Sequence, residues 1–304
     1  MTFLNKLFDK RPTQISDSSR KLYISNLKKL NNGNEPTDFI FLYDSDDVLK
    51  KIQDKKQTTQ RTYIIAICSL LSHGNGPVKM YDTYYKILSQ MNKDLAIRTT
   101  KSDAQKENWL TQSEISKIYE NIEMNVKLMR ASHITKKDYT TVLSMIVLAL
   151  FTKIPPRRNV DYTLMKISLD MSDTKFNYID LKNKKLIFNN YKTQKKYNQV
   201  IVDVPADLAD VITKYMKFHP EKNKLKNKKH DIFFLVNYDG SNLSNSNDIT
   251  KILNAAFGQK VGSSLLRNIY LTNKYSNVMN DLKDDAHAMS TSVDVALSTY
   301  IKKA

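Results

Sequence analysis

Tyr139-Thr140-Thr141-Val142-Leu143-Ser144-Met145-Ile146-Val147-Leu148-Ala149-Leu150-Phe151 runs into Thr152-Lys153-Ile154-Pro155-Pro156-Arg157-Arg158-Asn159-Val160-Asp161-Tyr162. The first part is apolar on nearly every helical face, so it predicts a helix buried on all sides rather than an amphipathic one. Its longest apolar stretch, Val142 to Phe151, contains Ser144 and is far shorter than the roughly 20 residues that span a bilayer. Pro155-Pro156 ends the helix and fixes the backbone in front of the arginine pair. Asp161 stands three residues after Arg158, a spacing that puts its carboxylate beside that guanidinium on one helical turn.

Downstream the period changes. Tyr178-Ile179-Asp180, Lys185-Leu186-Ile187-Phe188 and Gln199-Val200-Ile201-Val202-Asp203-Val204 read as strands, with Asn183 as a turn and Pro205 as a stop. Lys192-Thr193-Gln194-Lys195-Lys196 reads as a polar turn between them. The expectation is three short antiparallel strands in a mainly helical chain. Leu208 to Phe218 is a predicted helix, Pro220 to His230 a basic loop, and Phe233-Phe234-Leu235 a short strand or apolar anchor. Ile249 to Phe257, Ser264 to Tyr275, Val278 to Ala288 and Val293 to Lys302 are further predicted helices.

Upstream, Thr111 three before Glu114 is a capping-box signature that starts a helix running to about Arg130. Residues 98–107 are charged and aperiodic and read as a linker. Residues 21–97 hold four predicted helices: one around Leu22, Leu27 and Leu30; one from Asp46 through Ile52; one capped near Thr58–Arg61 and ending near His73-Gly74; and one from Tyr81 to Met91. Residues 1–20, polar and poorly periodic, read as a flexible arm. The division is therefore 1–20, 21–97, 98–107 and 108–304.

The chain has 304 residues and a formal net charge of +17, an excess that points to a polyanionic partner, with nucleic acid first. Its single cysteine, Cys68, lies in an apolar run, cannot form an intrachain disulfide, and weakly favours a reducing, intracellular setting. No signal peptide and no membrane span are expected. There is no Walker-type phosphate loop, no Cys/His cluster and no convincing acidic pair for Mg²⁺, so no cofactor or metal is expected.

Arg158, Arg267 and Tyr300 suit phosphoryl transfer to a protein nucleophile. Two guanidiniums can grip the non-bridging oxygens of one phosphodiester bidentately, and a phenol can attack the phosphorus and leave a covalent intermediate. Arg267 lies in Ser263-Ser264-Leu265-Leu266-Arg267-Asn268-Ile269-Tyr270, and Tyr300 follows Thr291 by nine residues.

This order resembles the tyrosine recombinases, or site-specific integrases, whose catalytic fold is shared with type IB topoisomerases. Their first box, roughly Thr-Gly-x-Arg-x-x-Glu, is similar to Thr152, Arg158 and Asp161 here, with Pro-Pro inserted. Their second, His-x-Leu-Arg-His, is similar to Ser264-Leu265-Leu266-Arg267-Asn268. Their third, Gly-His with the nucleophile nine residues after the histidine, is similar to Thr291 and Tyr300. The flavour is most like integrases of large DNA viruses and virophages, and the likeness covers 106–304 well.

The resemblance implies a helical DNA-grip domain ahead of a catalytic domain of mainly α character with a small antiparallel β-meander (α+β), the two closing around duplex DNA. It implies that Tyr300 cuts and rejoins DNA through a 3′-phosphotyrosyl intermediate, and that Arg158 and Arg267 clamp the phosphate with Asp161 orienting Arg158. Lys192 would be the general acid, with Lys195 and Lys196 as competitors and as phosphate contacts with Arg157, the rival of Arg158 for the clamp. Ser264 and Thr291 would donate hydrogen bonds to phosphate oxygens where histidine is usual, and His287, four residues before Thr291, could partly substitute for it. Four protomers on two double-stranded DNA duplexes, integrating a viral or mobile genome in a host nucleus or viral factory, would be the assembly. Two alternatives remain: a type IB topoisomerase-like nicking-closing enzyme, and an inactive DNA-binding protein of the same fold.

Overall fold

The computed structural model describes residues 1–73, 75–96, 100–227, 231–243 and 245–302. The chain forms two compact units, Met1–Lys101 and Ser102–Ala304.

The first unit is helical: α1 (Phe3–Asp9), α2 (Asp17–Leu30), α3 (Ser45–Ile52), α4 (Gln57–Leu71) and α5 (Val78–Ala96), with a 3₁₀ turn at Ile40–Leu42. Residues 1–20 are not a flexible arm. Leu4, Leu7 and Phe8 recur at helical spacing and are buried in the core of this unit. Thr2 caps α1, and the Arg11 guanidinium donates to the Ser69 carbonyl (2.6 Å) and hydroxyl (2.7 Å). A stripe of three apolar residues inside a polar segment was too short to stand out. Helix α4 starts at Gln57, before the expected Thr58–Arg61 cap, and α5 extends beyond Tyr81–Met91 at both ends.

The second unit begins with α6 (Asp103–Glu107), held by a Ser102–Gln105 capping box, so the latter part of the expected 98–107 linker is ordered helix; residues 97–99 lie outside the described residues. Helix α7 (Gln112–Lys127) starts at the predicted Thr111–Glu114 box. Helix α8 (Lys136–Thr152) is buried continuously from Val142 to Phe151 and contacts α7, α11 (Ala206–Phe218) and α12 (Ser246–Phe257). It is the central rod that its all-round apolarity predicts.

After the Pro-Pro stop come the single turn α9 (Asn159–Tyr162) and the sheet: β1 (Lys166–Ile167), β2 (Tyr178–Asp180), β3 (Lys185–Phe188), β4 (Val200–Asp203) and β5 (Ile232–Phe233), in the order β4-β3-β2-β1-β5. The expected meander is present as β2-β3-β4, with Ile179 opposite Leu186 and Ile187 opposite Ile201. The sheet as a whole is mixed rather than antiparallel, because β1 runs parallel to β2 (Lys166 opposite Tyr178) and antiparallel to β5 (Lys166 opposite Phe233). Two-residue strands have no alternation to read.

The expected polar turn at Lys192–Lys196 contains one helical turn, α10 (Gln194–Tyr197). The basic loop after Pro220 carries a 3₁₀ turn at Lys224–Asn227, while Lys228, Lys229 and His230 lie outside the described residues. The helices expected at Ser264–Tyr275 and Val278–Ala288 are one, α13 (Ser263–Ala288), since no glycine or proline interrupts them. The last helix is shorter than expected: α14 (Val293–Val295) passes into a π-helical turn at Ala296–Tyr300.

Candidate active site

Three elements meet at one cleft, two of them bringing charge. The Pro-Pro segment stops α8 and turns the chain so that Arg158 occupies the N-cap position of α9 in extended conformation (φ −77°, ψ 149°). Gly258, at φ +66° in the left-handed region that costs glycine little, ends α12 and lets the chain start α13 at Ser263. Leu265, Leu266 and Ile269 anchor the first turns of α13 in the core, which leaves Arg267 on the cleft side. The loop after β3 supplies the third wall through Tyr191, Thr193 and Tyr197. The resulting shallow cleft has a volume of about 240 Å³ and is lined also by Arg157, Arg158, Asp161 and Arg267.

Arg158 and Arg267, 109 residues apart in sequence, thus face one cavity. Arg267 is pulled below its ordinary pKa first by burial and then by repulsion from Arg158, with Asp161 acting against both. Its Nη2 donates to Ser264 Oγ (3.1 Å) and its Nε to the Ser263 carbonyl (3.4 Å). Among the described residues the Arg158 side chain has no hydrogen-bond partner in the protein. Two neighbouring guanidiniums, one of them unpartnered, make a receptor for an anion with several oxygens.

Asp161 does not orient Arg158. Its Oδ2 accepts from Arg157 Nε at 2.9 Å, and only its backbone N–H bonds the Arg158 carbonyl (3.0 Å). The Arg157 guanidinium lies over the Phe188 ring (3.8 Å to the centroid) and near the Tyr191 ring (5.2 Å). A guanidinium stacked and ion-paired in this way is held rigidly, so Arg157 is the cleft's fixed wall and Arg158 its free donor. Asp161 is 2% exposed, and burial pushes its carboxyl above the ordinary carboxylate range against the pull of Arg157 and Arg158.

Asn177, which sequence reasoning did not single out, ties these pieces together. Its Nδ2 donates to the Asp161 carbonyl (2.7 Å) and the Asn190 carbonyl (2.9 Å), and its Oδ1 accepts from the Asn189 and Asn190 N–H groups (2.8 Å each). Asn159 does the same toward α12, donating to the Ser246 carbonyl (2.9 Å) and Thr250 Oγ1 (2.8 Å). A lone asparagine beside a strand carries no periodic signal. The loop wall is fixed where Tyr191 donates to the Asn198 carbonyl (2.6 Å), with Asn198 at φ 55°, ψ −149°.

The structure brings Arg157, Arg158, Asp161 and Arg267 together, with Ser264 on Arg267. Lys192 adjoins the lining residue Thr193 but is exposed and does not itself line the cleft; Lys195 and Lys196 are exposed on α10. Thr291, His287 and Tyr300 are not brought there. His287 is exposed in the last turn of α13, Thr291 follows that helix, and Tyr300 is 58% exposed in the tail. Among the described residues no cluster of His, Cys, Asp or Glu could hold a metal ion, and no helix is long and apolar enough to cross a membrane.

No family model, curated protein or solved structure matches the chain.

Proposed function

We propose that this protein is a DNA strand-transferase of the tyrosine-recombinase kind. The observation that carries the reading is the shared cleft of Arg158 and Arg267, two arginines separated in sequence by a whole sheet and two long helices. A net charge of +17 supports a polyanionic substrate.

The chemistry follows from the groups. Arg158 and Arg267 hold the non-bridging oxygens of one phosphodiester and offset the charge of the pentavalent transition state. Ser264 Oγ already accepts from Arg267, so its own O–H is left to donate to a phosphate oxygen. The Tyr300 oxygen attacks phosphorus as its proton passes to solvent water, the bond to the 5′ oxygen breaks, and that oxygen takes a proton from Lys192. A 5′ hydroxyl from a second strand then attacks the phosphotyrosyl group and releases Tyr300. One phosphoester is exchanged for another at each step, so no nucleotide is consumed. Four copies on two duplexes would complete an exchange, with the first unit adding backbone contacts.

The test is a supercoiled plasmid library with a randomised insert, quenched in detergent and scored for protein-linked DNA. Wild type should form the adduct. Arg158→Ala and Arg267→Ala should bind DNA and form it about 100- to 1,000-fold more slowly. Adduct formation at the wild-type rate by either variant would contradict the assigned clamp. A second reading has one observation in its favour: Tyr300 stands outside the cleft, as an inactive DNA-binding protein would allow. That reading predicts binding with no adduct at any insert sequence.

A further inference from the structure

The third wall of the arginine cleft is neutral, and its hydroxyl groups are of two kinds. Tyr191 is 7% exposed, and its hydroxyl is used inside the loop, on the Asn198 carbonyl. Tyr197 lines the same cleft but is 57% exposed, and among the described residues its hydroxyl has no hydrogen-bond partner. Thr193 stands at the N-cap of α10, where a threonine side chain ordinarily caps the helix, yet it makes no cap bond. It too lines the cleft, with its hydroxyl unpartnered among the described residues.

These hydroxyls are not carried on a loose loop. Asn189 Oδ1 accepts from Gln199 Nε2 (2.7 Å), which closes the loop at its base, and Asn189 Nδ2 donates to the Phe176 carbonyl (3.0 Å). Gln194 Oε1 accepts from the Tyr191 N–H (3.4 Å), and the Asn198 N–H donates to the Gln194 carbonyl (2.8 Å). Asn198, at φ 55°, then ends α10 directly after Tyr197. A donor whose backbone is already fixed loses less entropy when it meets its ligand.

The lining groups select one kind of ligand. Arg158 and Arg267 bring two cationic forks, Thr193 and Tyr197 bring neutral O–H groups, and Ser264 stands on Arg267. Asp161 is the one acid in the lining, and its Oδ2 is taken by Arg157. A group with several acceptor oxygens and no donor of its own suits this set, and a phosphodiester has that character. Thr291, the hydroxyl that the sequence offers for a phosphate oxygen, is not brought to the cleft; the loop after β3 brings two others.

We propose that Tyr197 is a further catalytic residue of this cleft: its hydroxyl donates to a non-bridging oxygen of the phosphate that Arg158 and Arg267 hold, with Thr193 Oγ1 donating beside it. The proposal rests on the reading of the cleft as a phosphodiester site. The phenol transfers no proton. Its hydrogen bond strengthens as negative charge builds on that oxygen in the transition state.

Two measurements on the full chain test it. Tyr197→Phe removes one oxygen atom and keeps the ring. In the detergent-quenched plasmid library it should form adduct about 100-fold more slowly than wild type. The salt dependence of its plasmid binding should keep the wild-type slope, because a phenol neutralises no phosphate and releases no counterion, whereas Arg158→Ala lowers that slope. Adduct at the wild-type rate, or a slope lowered as much as by Arg158→Ala, overturns the proposal. The second measurement needs no catalysis. Protein labelled with 3-fluorotyrosine gives a fluorine resonance that is missing from Tyr197→Phe. Inorganic phosphate should shift that resonance saturably, and Arg158→Ala should weaken the response about tenfold. No shift, or an equal response in Arg158→Ala, overturns the contact. A saturable shift with no wild-type adduct keeps the phosphate contact and removes strand transfer; wild-type adduct with no shift and no Tyr197→Phe defect does the reverse.

Discussion

Arg157 sits on Phe188 with its Nε on a carboxylate that is almost fully buried. Removing one partner of such a pair strands the other charge, at a cost of about 3–5 kcal/mol, whereas replacing both with apolar groups of similar size is far milder. Chemical denaturation should therefore show Arg157→Met to be more destabilised than the Arg157→Met/Asp161→Leu double variant; equal losses would mean that the pair does not couple. Arg158 has no such anchor, so Arg158→Ala should leave the unfolding free energy within about 0.5 kcal/mol of wild type. The residue types of the cleft were legible in the sequence, but their partners were not. Arginine followed at three by an acid suggested Arg158 and Asp161, yet the chain is extended at Arg158, and the real helical-type pair is Arg157 and Asp161, four apart. The aromatic plate under Arg157 is contributed by β3 and its following loop, which local spacing cannot place beside α9.

Among the elements, those with both a cap and an apolar period were the readable ones. Thr111 donates to and accepts from Glu114 as the sequence pattern predicts. Thr111→Ala should cost about 1 kcal/mol by thermal or denaturant unfolding, and a neutral result would mean the box does not hold α7. His219 was not legible: nothing in Pro220–His230 or the end of α11 marks it as buried. The Glu221 N–H donates to its Nδ1 (3.1 Å), which fixes the proton on Nε2 facing the Phe233 carbonyl (3.0 Å) and ties α11 to β5. Burial lowers its pKa, so the folded state favours the neutral ring. Its contribution to stability is full above the unfolded value of about 6.5 and is lost as pH falls through the lower, folded value. Wild type should lose stability below about pH 6.5, and His219→Gln should flatten that branch. An unchanged acid branch would remove His219 from the account. The polar pair Ser276-Asn277 separates the two helices that the sequence predicts, but without glycine or proline there α13 continues through it.

For the whole molecule, charge decides the first step. A chain of +17 should bind DNA with affinity that falls steeply with salt, with a log–log slope of about −0.9 for each phosphate neutralised. Arg158→Ala should reduce that slope by about one unit while leaving binding in place. A slope unchanged by both arginine substitutions would place the cleft away from DNA. The split after Lys101 falls inside the charged, aperiodic stretch 98–107, but the mixed sheet was not legible, because β1 is two residues long and its pairing with β5 bridges 64 residues between the paired Ile167 and Ile232.

The most direct measurement of the central claim is to digest the detergent-trapped protein–DNA complex with protease and nuclease and identify the nucleotide-bearing peptide by mass. The account predicts a single modified residue, Tyr300, with the phosphate joined through a 3′ linkage. A nucleotide on any other side chain, or DNA bound across the whole library with no covalent peptide at all, would contradict it.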